Sequence, residues 1–387
     1  MSKLATINRA IRYQIFPTEQ QKQQLAQTFG CARKVYNMGL ALQEQRYKDG
    51  EKHLSMFDLN TQCNHTWKEE MPYLRAVDKF ALTNSLKNLE QAYTNFFEKR
   101  AKHPAFKSKH QHYQSYTTNF TNNNIAIEFP KTGERGQIKL PKLGRVDALL
   151  YRKPGSDWTI KTATITYTAS GKYMVSICFA IPAEEPAPVM PTIERTLGLD
   201  YSSPNFYVDS NGQSPKATHW FRKSQQQLAR EQRRLSRMVK GSQHYEKQRL
   251  RVARLAEHVA NQRKDFCHKL SREIVNSYDV VCVEDLDLHN MAQSLRFGKA
   301  TNDNGFGMFR VFLRYKLEEQ GKHFVVIDKW YPSSKTCHEC GTINTELRLG
   351  EGEWFCSGCG RVVDRDYNAA INIRDEGFML IINQLAA

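Results

Sequence analysis

Long apolar runs are missing from this sequence: no stretch approaches the roughly 18 consecutive apolar residues that a membrane-spanning helix needs. The amino terminus, MSKLATINRAIRYQIF, also lacks the apolar centre of a secretory signal. Both absences exclude an integral membrane protein and a secreted one, so the expected location is the cytoplasm, with nucleoid association when bound to DNA. Acidic residues are scarce as well. Asp and Glu number 40 against 56 Lys and Arg, for a net charge of +16 over 387 residues. Solubility alone seldom needs so one-sided a charge, and its sign selects polyanionic partners, nucleic acid before an anionic membrane surface. Internal repeats are absent too. Of the nine cysteines, Cys31, Cys63, Cys178, Cys267 and Cys282 are scattered, which suits small unpaired hydrophobes in a reducing compartment.

What is present divides the chain. Residues from Arg9 to Phe16 alternate and stop at Pro17, which predicts a strand. Thr18 then reads as a helix N-cap, with Gln21 completing a capping box. Helical periodicity follows to about Arg100, carried by Leu25, Phe29, Ala32, Val35, Tyr36 and Leu40, then by Leu82, Leu86, Leu89, Tyr93 and Phe96. From Tyr113 to Phe179, short alternating runs broken by Gly, Pro and Asn predict a small antiparallel barrel or sandwich. The first strand would join it, which makes the helical stretch an insertion. Ile181 to Pro191 (IPAEEPAPVMP) holds four prolines and two glutamates, a stiff linker. Beyond it the pattern becomes α/β. A hairpin signal covers 197–212, and a helical stretch runs over 221–275 with a break at Gly241-Ser242. Short apolar strands are expected at 280–283 and 324–327, and helices at 306–320 and 367–376.

Cys337, Cys340, Cys356 and Cys359 form C-x2-C-x15-C-x2-C. Four thiolates satisfy a tetrahedral zinc ion and leave no open position, so one structural Zn²⁺ is expected. A redox role is disfavoured because two CxxC turns stand at ribbon spacing.

Three acids stand out by position. Asp200 closes an apolar strand before a polar turn, and Glu284 directly follows Val280-Val281-Cys282-Val283. A third lies in Asp364-Arg365-Asp366 at the start of the last helix, where Asp364 could equally serve as an N-cap. Carboxylates at the ends of buried strands cost desolvation unless something pairs with them. Their convergence on hard divalent cations is the economical explanation, and two Mg²⁺ ions would suit hydrolysis of a phosphodiester.

Basic side chains crowd residues 221–270. Arg230, Arg233, Arg234, Arg237, Arg249 and Arg254 are expected to track phosphates, since acidic partners are too few for a self-paired helix.

Several of these segments, taken in order, resemble the TnpB (OrfB) family encoded by insertion sequences: GLDYSSPNFYVDSNG (198–212), VCVEDLDLHNM (281–291), NGFGMF (304–309), KWYPSSKTCHECG (329–341) and DRDYNAAINI (364–373). VDKFALTNSLKNLEQAY (77–93) and TNFTNNNIAI (118–127) extend the likeness into the amino half. The resemblance implies a mixed α/β and α+β multidomain chain. Its nuclease domain would have an RNase H-like (RuvC) fold over 192–334 and 361–387, with a four-cysteine zinc ribbon inserted at 335–360. A wedge-type β-barrel would occupy 1–17 and 107–182, a helical recognition insertion 18–106, and a linker 183–191. By motif, Asp200, Glu284 and Asp366 would be the catalytic, magnesium-binding acids, Asp366 and not Asp364, with Arg365 and Asn368 flanking them. Lys79, Phe80, Thr83, Thr118, Asn119 and Thr121 fall in the segments that would read a short DNA motif. The implied partners are a guide RNA derived from the transposon end and double-stranded target DNA, with no membrane. The implied activity is RNA-guided endonucleolytic cleavage. A nuclease-idle guided repressor and an RNase H-fold transposase are the alternatives.

Overall fold

The computed structural model describes residues 5–183, 186–202, 205–215, 219–286, 305–348 and 350–386. The chain separates into two compact units, Met1–Glu184 and Glu185–Ala387.

The first unit opens with β1 (Ala5–Phe16), followed by the helices α1 (Glu19–Lys48), α2 (Met56–Gln62), α3 (Lys68–Glu70) and α4 (Lys79–Phe97). Six strands complete it: β2 (Gln114–Asn119), β3 (Ala126–Glu128), β4 (Arg135–Leu140), β5 (Gly144–Leu149), β6 (Thr159–Tyr167) and β7 (Tyr173–Ala183). All pair antiparallel in one sheet, in the order β2-β6-β7-β1-β5-β4-β3. Among the described residues β2 and β3 remain edges, so hydrogen bonding does not close the expected barrel. The Thr18–Gln21 capping box forms as the sequence suggests. The Gln21 amide also donates to the carbonyls of Leu143 (3.1 Å) and Arg145 (2.8 Å), which fastens the start of α1 to the β4–β5 turn. Leu25, Phe29 and Ala32 of α1 therefore enter the same apolar core as Tyr13, Ile15, Val146 and Ile177 of the sheet. Further along, Val35 and Leu40 pack with Leu82, Leu86 and Leu89 in a second, all-helical core.

The second unit contains β8 (Thr196–Ser202), β9 (Phe206–Asp209), α5 (His219–Ser236), α6 (Gln243–Ser277), β10 (Val280–Glu284), α7 (Phe306–Glu318), β11 (His323–Ile327), β12 (Glu353–Phe355), β13 (Val362–Asp364) and α8 (Arg365–Ala386). The sheet order is β11-β10-β8-β9, with β10 parallel to both neighbours and β9 antiparallel at the edge. The expected break between α5 and α6 is present. Gly241 turns with φ of 86° and Ser242 caps α6, accepting from the Tyr245 N–H at 3.1 Å.

Strand alternation sorts the side chains of this sheet. Leu197, Leu199, Val281 and Val283 face α6 and α7, meeting Cys267, Ile274, Phe309 and Leu313. The intervening positions face α8: Val280 and Cys282 pack with Ile373 and Ile381. Two glycines permit that helix to lie close. A Cβ on Gly198 would stand 2.0 Å from the Ala370 carbonyl oxygen, and one on Gly377 would stand 2.3 Å from the Cys282 sulfur.

Several expectations need correction. The last helix runs to Ala386, ten residues past the expected end at Glu376, because Gly377 is a packing glycine and not a stop. Asp200 does not end its strand, since β8 continues through Ser202. Residues 187–189 are no free linker. The Val189 N–H donates to Gly321 O at 2.8 Å, and its carbonyl lies 2.7 Å from Nε2 of His323. Residues 203–204 of the 198–212 motif, and residues 287–304, which hold the end of the 281–291 motif and Asn304 of NGFGMF, lie outside the described residues.

Candidate active site and metal centre

Val283 of β10 pairs with Leu199 of β8, so one residue further on Glu284 and Asp200 stand side by side on adjacent parallel strands. Both occupy the face covered by α8. From the contact of Gly198 with Ala370, two residues along β8 advance about 6.6 Å to Asp200. One turn back along α8 retreats about 6 Å to Asp366. The two steps converge on one place. Burial, and then the negative charges of Glu284 and Asp366, hold the Asp200 carboxyl well above the usual carboxylate range. Burial also raises Glu284, while the Ser333 hydroxyl and the Arg365 charge draw it down. Arg365 lowers Asp200 too, so it is the cation within reach of both acids.

Asp364 has another task. Its Oδ1 accepts from the Tyr367 N–H at 2.8 Å, capping α8 and leaving Asp366 as the acid of the first helical turn. Such a cap contributes about 1 kcal/mol to the helix.

The side chain that fixes Glu284 is Ser333, whose hydroxyl donates to Oε1. Ser333 lies inside the quoted motif KWYPSSKTCHECG, but no periodicity or charge singled it out. Asn368, expected to flank the acids, is 5% exposed and turned to the loop that precedes the first cysteine pair. Its Nδ2 donates to Thr336 O at 2.8 Å, and its Oδ1 accepts from the His338 N–H at 2.9 Å. Asn372, one turn later and missed in the sequence, donates to the carbonyls of Ser333 and Thr336, both at 2.7 Å.

That loop leads into the cysteine module. Sγ of Cys337 is 3.7 Å from that of Cys359, and Cys340 is 3.5 Å from Cys356. Metal–sulfur bonds of about 2.3 Å would set tetrahedral edges near 3.8 Å, so the four thiols fit one metal ion. All four sulfurs lie within 4.8 Å of one another. Among the described residues no other group of three or more such donors is drawn that tightly, so the three carboxylates are spaced more widely.

The basic surface is real but smaller than the sequence suggested. Arg249 is tied to Glu246 at 2.7 Å and is no free phosphate ligand. Arg230 is exposed and 3.8 Å from Glu231. Arg233, Arg234, Arg237 and Arg254 are exposed, and the charge of Arg234 acts on Glu231. Arg230, Arg233, Arg234 and Arg237 line one open groove along α5.

In the first unit, α4 and β2 meet through Asn84, whose Nδ2 donates to Thr117 O (2.9 Å) and Asn119 Oδ1 (3.1 Å). This brings the segment of Lys79, Phe80 and Thr83 beside Asn119 and Thr121. Thr83 donates to Asn60 Oδ1 at 2.9 Å, and the Lys79 ammonium lies 5.0 Å from the centre of the Phe80 ring. Thr118 must be struck from the DNA-reading set. It is 0% exposed, pointing inward two residues from Tyr116 on the same face of β2.

Comparison with known proteins agrees with this architecture. Residues 176–295 match the OrfB family model described as "Probable transposase", and residues 306–373 match one described as "Cas12f1-like, TNB domain". A "Helix-turn-helix domain" model matches residues 1–52, where this structure has one strand and one long helix. A protein of Streptomyces pristinaespiralis named an RNA-guided DNA endonuclease is 32% identical over 96% of this chain and 90% of its own length. The InsQ RNA-guided DNA endonuclease of Escherichia coli is 30% identical over 96% of this chain and 93% of its own. Among solved structures, a Cas12f1 complex with sgRNA and target DNA superposes with a TM-score of 0.63 at 13% identity, covering 95% of this chain and 99% of that one. The mini RNA-guided endonuclease Cas_phi3 gives 0.52 at 9% identity, covering 97% and 93%. With near-complete coverage of such relatives at 30% identity or above, the chain belongs to the TnpB (OrfB) family.

Proposed function

We propose that the chain is an RNA-guided endonuclease that cuts double-stranded DNA at Asp200, Glu284 and Asp366. The carrying observation is the meeting of three acids from distant parts of the sequence at the carboxyl ends of the two central strands, β8 and β10, where burial and the charges of the other two raise Asp200. Hard carboxylate oxygens suit divalent cations of the magnesium class. Three acids serving two ions about 4 Å apart need not converge on a single point, which fits their wider spacing. When bound, Mg²⁺ would lower the pKa of an attacking water and stabilise the leaving oxygen. The chain's own contribution is orientation: β8 and β10 hold two acids abreast, α8 presents the third, and Arg365 tempers their repulsion. The four cysteines would hold one structural Zn²⁺. A transposon-derived guide RNA would pair with one DNA strand after the segments around Lys79 and Asn119 engage a short adjacent motif.

Sequencing the nucleic acid that copurifies tests this reading. A defined RNA ending in a variable segment, together with guided and divalent-dependent cutting, is the expected result. Indiscriminate cutting by RNA-free protein would overturn the guided part. Joined DNA ends would point to a transposase, and guided binding without any cut would point to a repressor.

Acidity offers a second check. Asp200 binds its proton more tightly in the fold than in the unfolded chain, so its contribution to stability is present at low pH. That contribution is lost as pH rises from the ordinary carboxylate range through the raised folded value. A cation held by the acids reverses the penalty. Melting temperature should therefore rise with added Mg²⁺, and by more at pH 8 than at pH 5. An equal rise at both values, or none, would remove the cation from this site.

Salt dependence checks the basic groove. Each phosphate contact adds about 0.9 to the slope of log affinity against log salt. Replacing Arg233, Arg234 and Arg237 together by alanine should lower that slope by roughly 2 to 3 and weaken binding of every sequence alike. An unchanged slope would show that α5 does not touch the backbone.

A further inference from the structure

We infer that the loop between β11 and the first cysteine pair is a clamp on Glu284, in which Ser333 is a positioning residue and Asn368 and Asn372 hold it in place. The inference rests on the reading of Glu284 as a cation ligand. Glu284 is the last residue of β10, so beyond it the backbone is no longer held by the sheet. Two side-chain torsions lie between its backbone and its carboxylate carbon. Without a partner that carboxylate would sample several rotamers, and a cation would have to select one of them. The Ser333 hydroxyl binds Oε1 and leaves Oε2 for a ligand.

A serine orients a carboxylate only if the serine is itself held. Here the restraint is double. Ser333 O accepts from Asn372 Nδ2 at 2.7 Å and from Asn368 Nδ2 at 3.4 Å. Three residues later Thr336 O accepts from the same two amides at 2.7 and 2.8 Å. Both asparagines are 5% exposed and stand four apart on α8, on one side of the helix. Buried amides keep their geometry because an unmet hydrogen bond there is costly. Asn368 is also gripped from the far side by the His338 N–H, within the first cysteine knuckle. The cysteine module is thereby stitched to the helix that carries Asp366, and the thread between them passes through the residue that holds Glu284. The plainer alternative is that these contacts only glue the ribbon to α8. On that view Ser333→Ala costs some stability and leaves the cation site untouched.

The two views separate in a binding experiment on the full chain with its copurified RNA, using Mn²⁺ as probe and paramagnetic resonance to count bound ions. Groups that orient metal ligands typically govern roughly 10- to 100-fold in metal affinity. Ser333→Ala should weaken Mn²⁺ binding by that order and raise the Mg²⁺ needed for half-maximal cutting in step, with zinc content equal to the parent's. Ser333→Thr, which keeps the hydroxyl, should restore both. Asn372→Ala should reproduce part of the shift and speed hydrogen exchange over 333–338. Glu284→Gln serves as reference and should abolish the tight ions. If Glu284→Gln loses them while Ser333→Ala binds Mn²⁺ like the parent, the clamp is wrong and the metal site stands. If Glu284→Gln keeps them, the metal reading fails, and the clamp with it.

Discussion

Replacing Asp200 by asparagine, Glu284 by glutamine or Asp366 by asparagine should each slow DNA cutting on the order of a thousandfold or more, since a lost cation removes several kcal/mol of transition-state stabilisation at about 1.4 kcal/mol per tenfold. The amides keep the size of each side chain and remove only its charge. Packing around α8 should therefore survive, and the arginines of α5 should hold nucleic acid as before. Asp200 should show the largest loss, because the charges of both other acids act on it. The fold should gain slightly near neutral pH, since a buried charge that repels its neighbours is gone. Single-turnover cleavage and a melting curve of each variant are sufficient. Any variant that still cuts within tenfold of the parent takes its residue out of the site.

The second large effect is expected at the cysteines. The ribbon has a small apolar core, built on Trp354 and Val363 with Leu347 at its edge. Such side chains contribute about 1.5 to 3 kcal/mol each when fully buried. A structural zinc ion contributes roughly 10 to 16 kcal/mol in small peptides. An ion held there would therefore dominate the ribbon's stability, and Cys337→Ser with Cys356→Ser should unfold residues 335–363. Zinc should fall from one equivalent to a small fraction, and fast hydrogen exchange should appear across the module. Cutting should collapse although every acid is intact, because the 333–338 loop is tied to α8 on one side and to the first knuckle on the other. Parent protein that is protected from exchange yet holds less than about half an equivalent of zinc would overturn this account.

The sequence made some of this legible because the relevant physics is local. Thr18 with Gln21, Gly241 with Ser242 and Asp364 before the last helix are cap signals that need only near neighbours. The cysteine spacing is equally self-contained. The misses all depend on what faces what. The last helix is expected to end at Glu376, but Gly377 continues it, pressed against Cys282. Thr118 belongs to a plausible reading segment, yet strand alternation with buried Tyr116 sends it inward. Arg249 counted as free although Glu246, one turn earlier, was available to it. Ser333 and Asn372 carry no pattern at all, since their partners are a carboxylate 49 residues away and backbone carbonyls 36 and 39 residues away. Asp200 and Glu284 stand out by their place after apolar residues, and the family motif then selects Asp366 over Asp364. The sheet register supplies the reason, since positions 198, 200, 282 and 284 must all look toward α8.

One helix both roofs the sheet and delivers the third acid. A copy shortened by a premature stop before residue 365 would lose the cover over Gly198, Cys282 and Ile327 together with Asp366. Such a product would expose the apolar face of β8, β10 and β11 that α8 buries, so it should lose its fold along with its third acid. The stretch of chain that completes the packing of the sheet is thus also the one that carries Asp366, and its loss removes both at once.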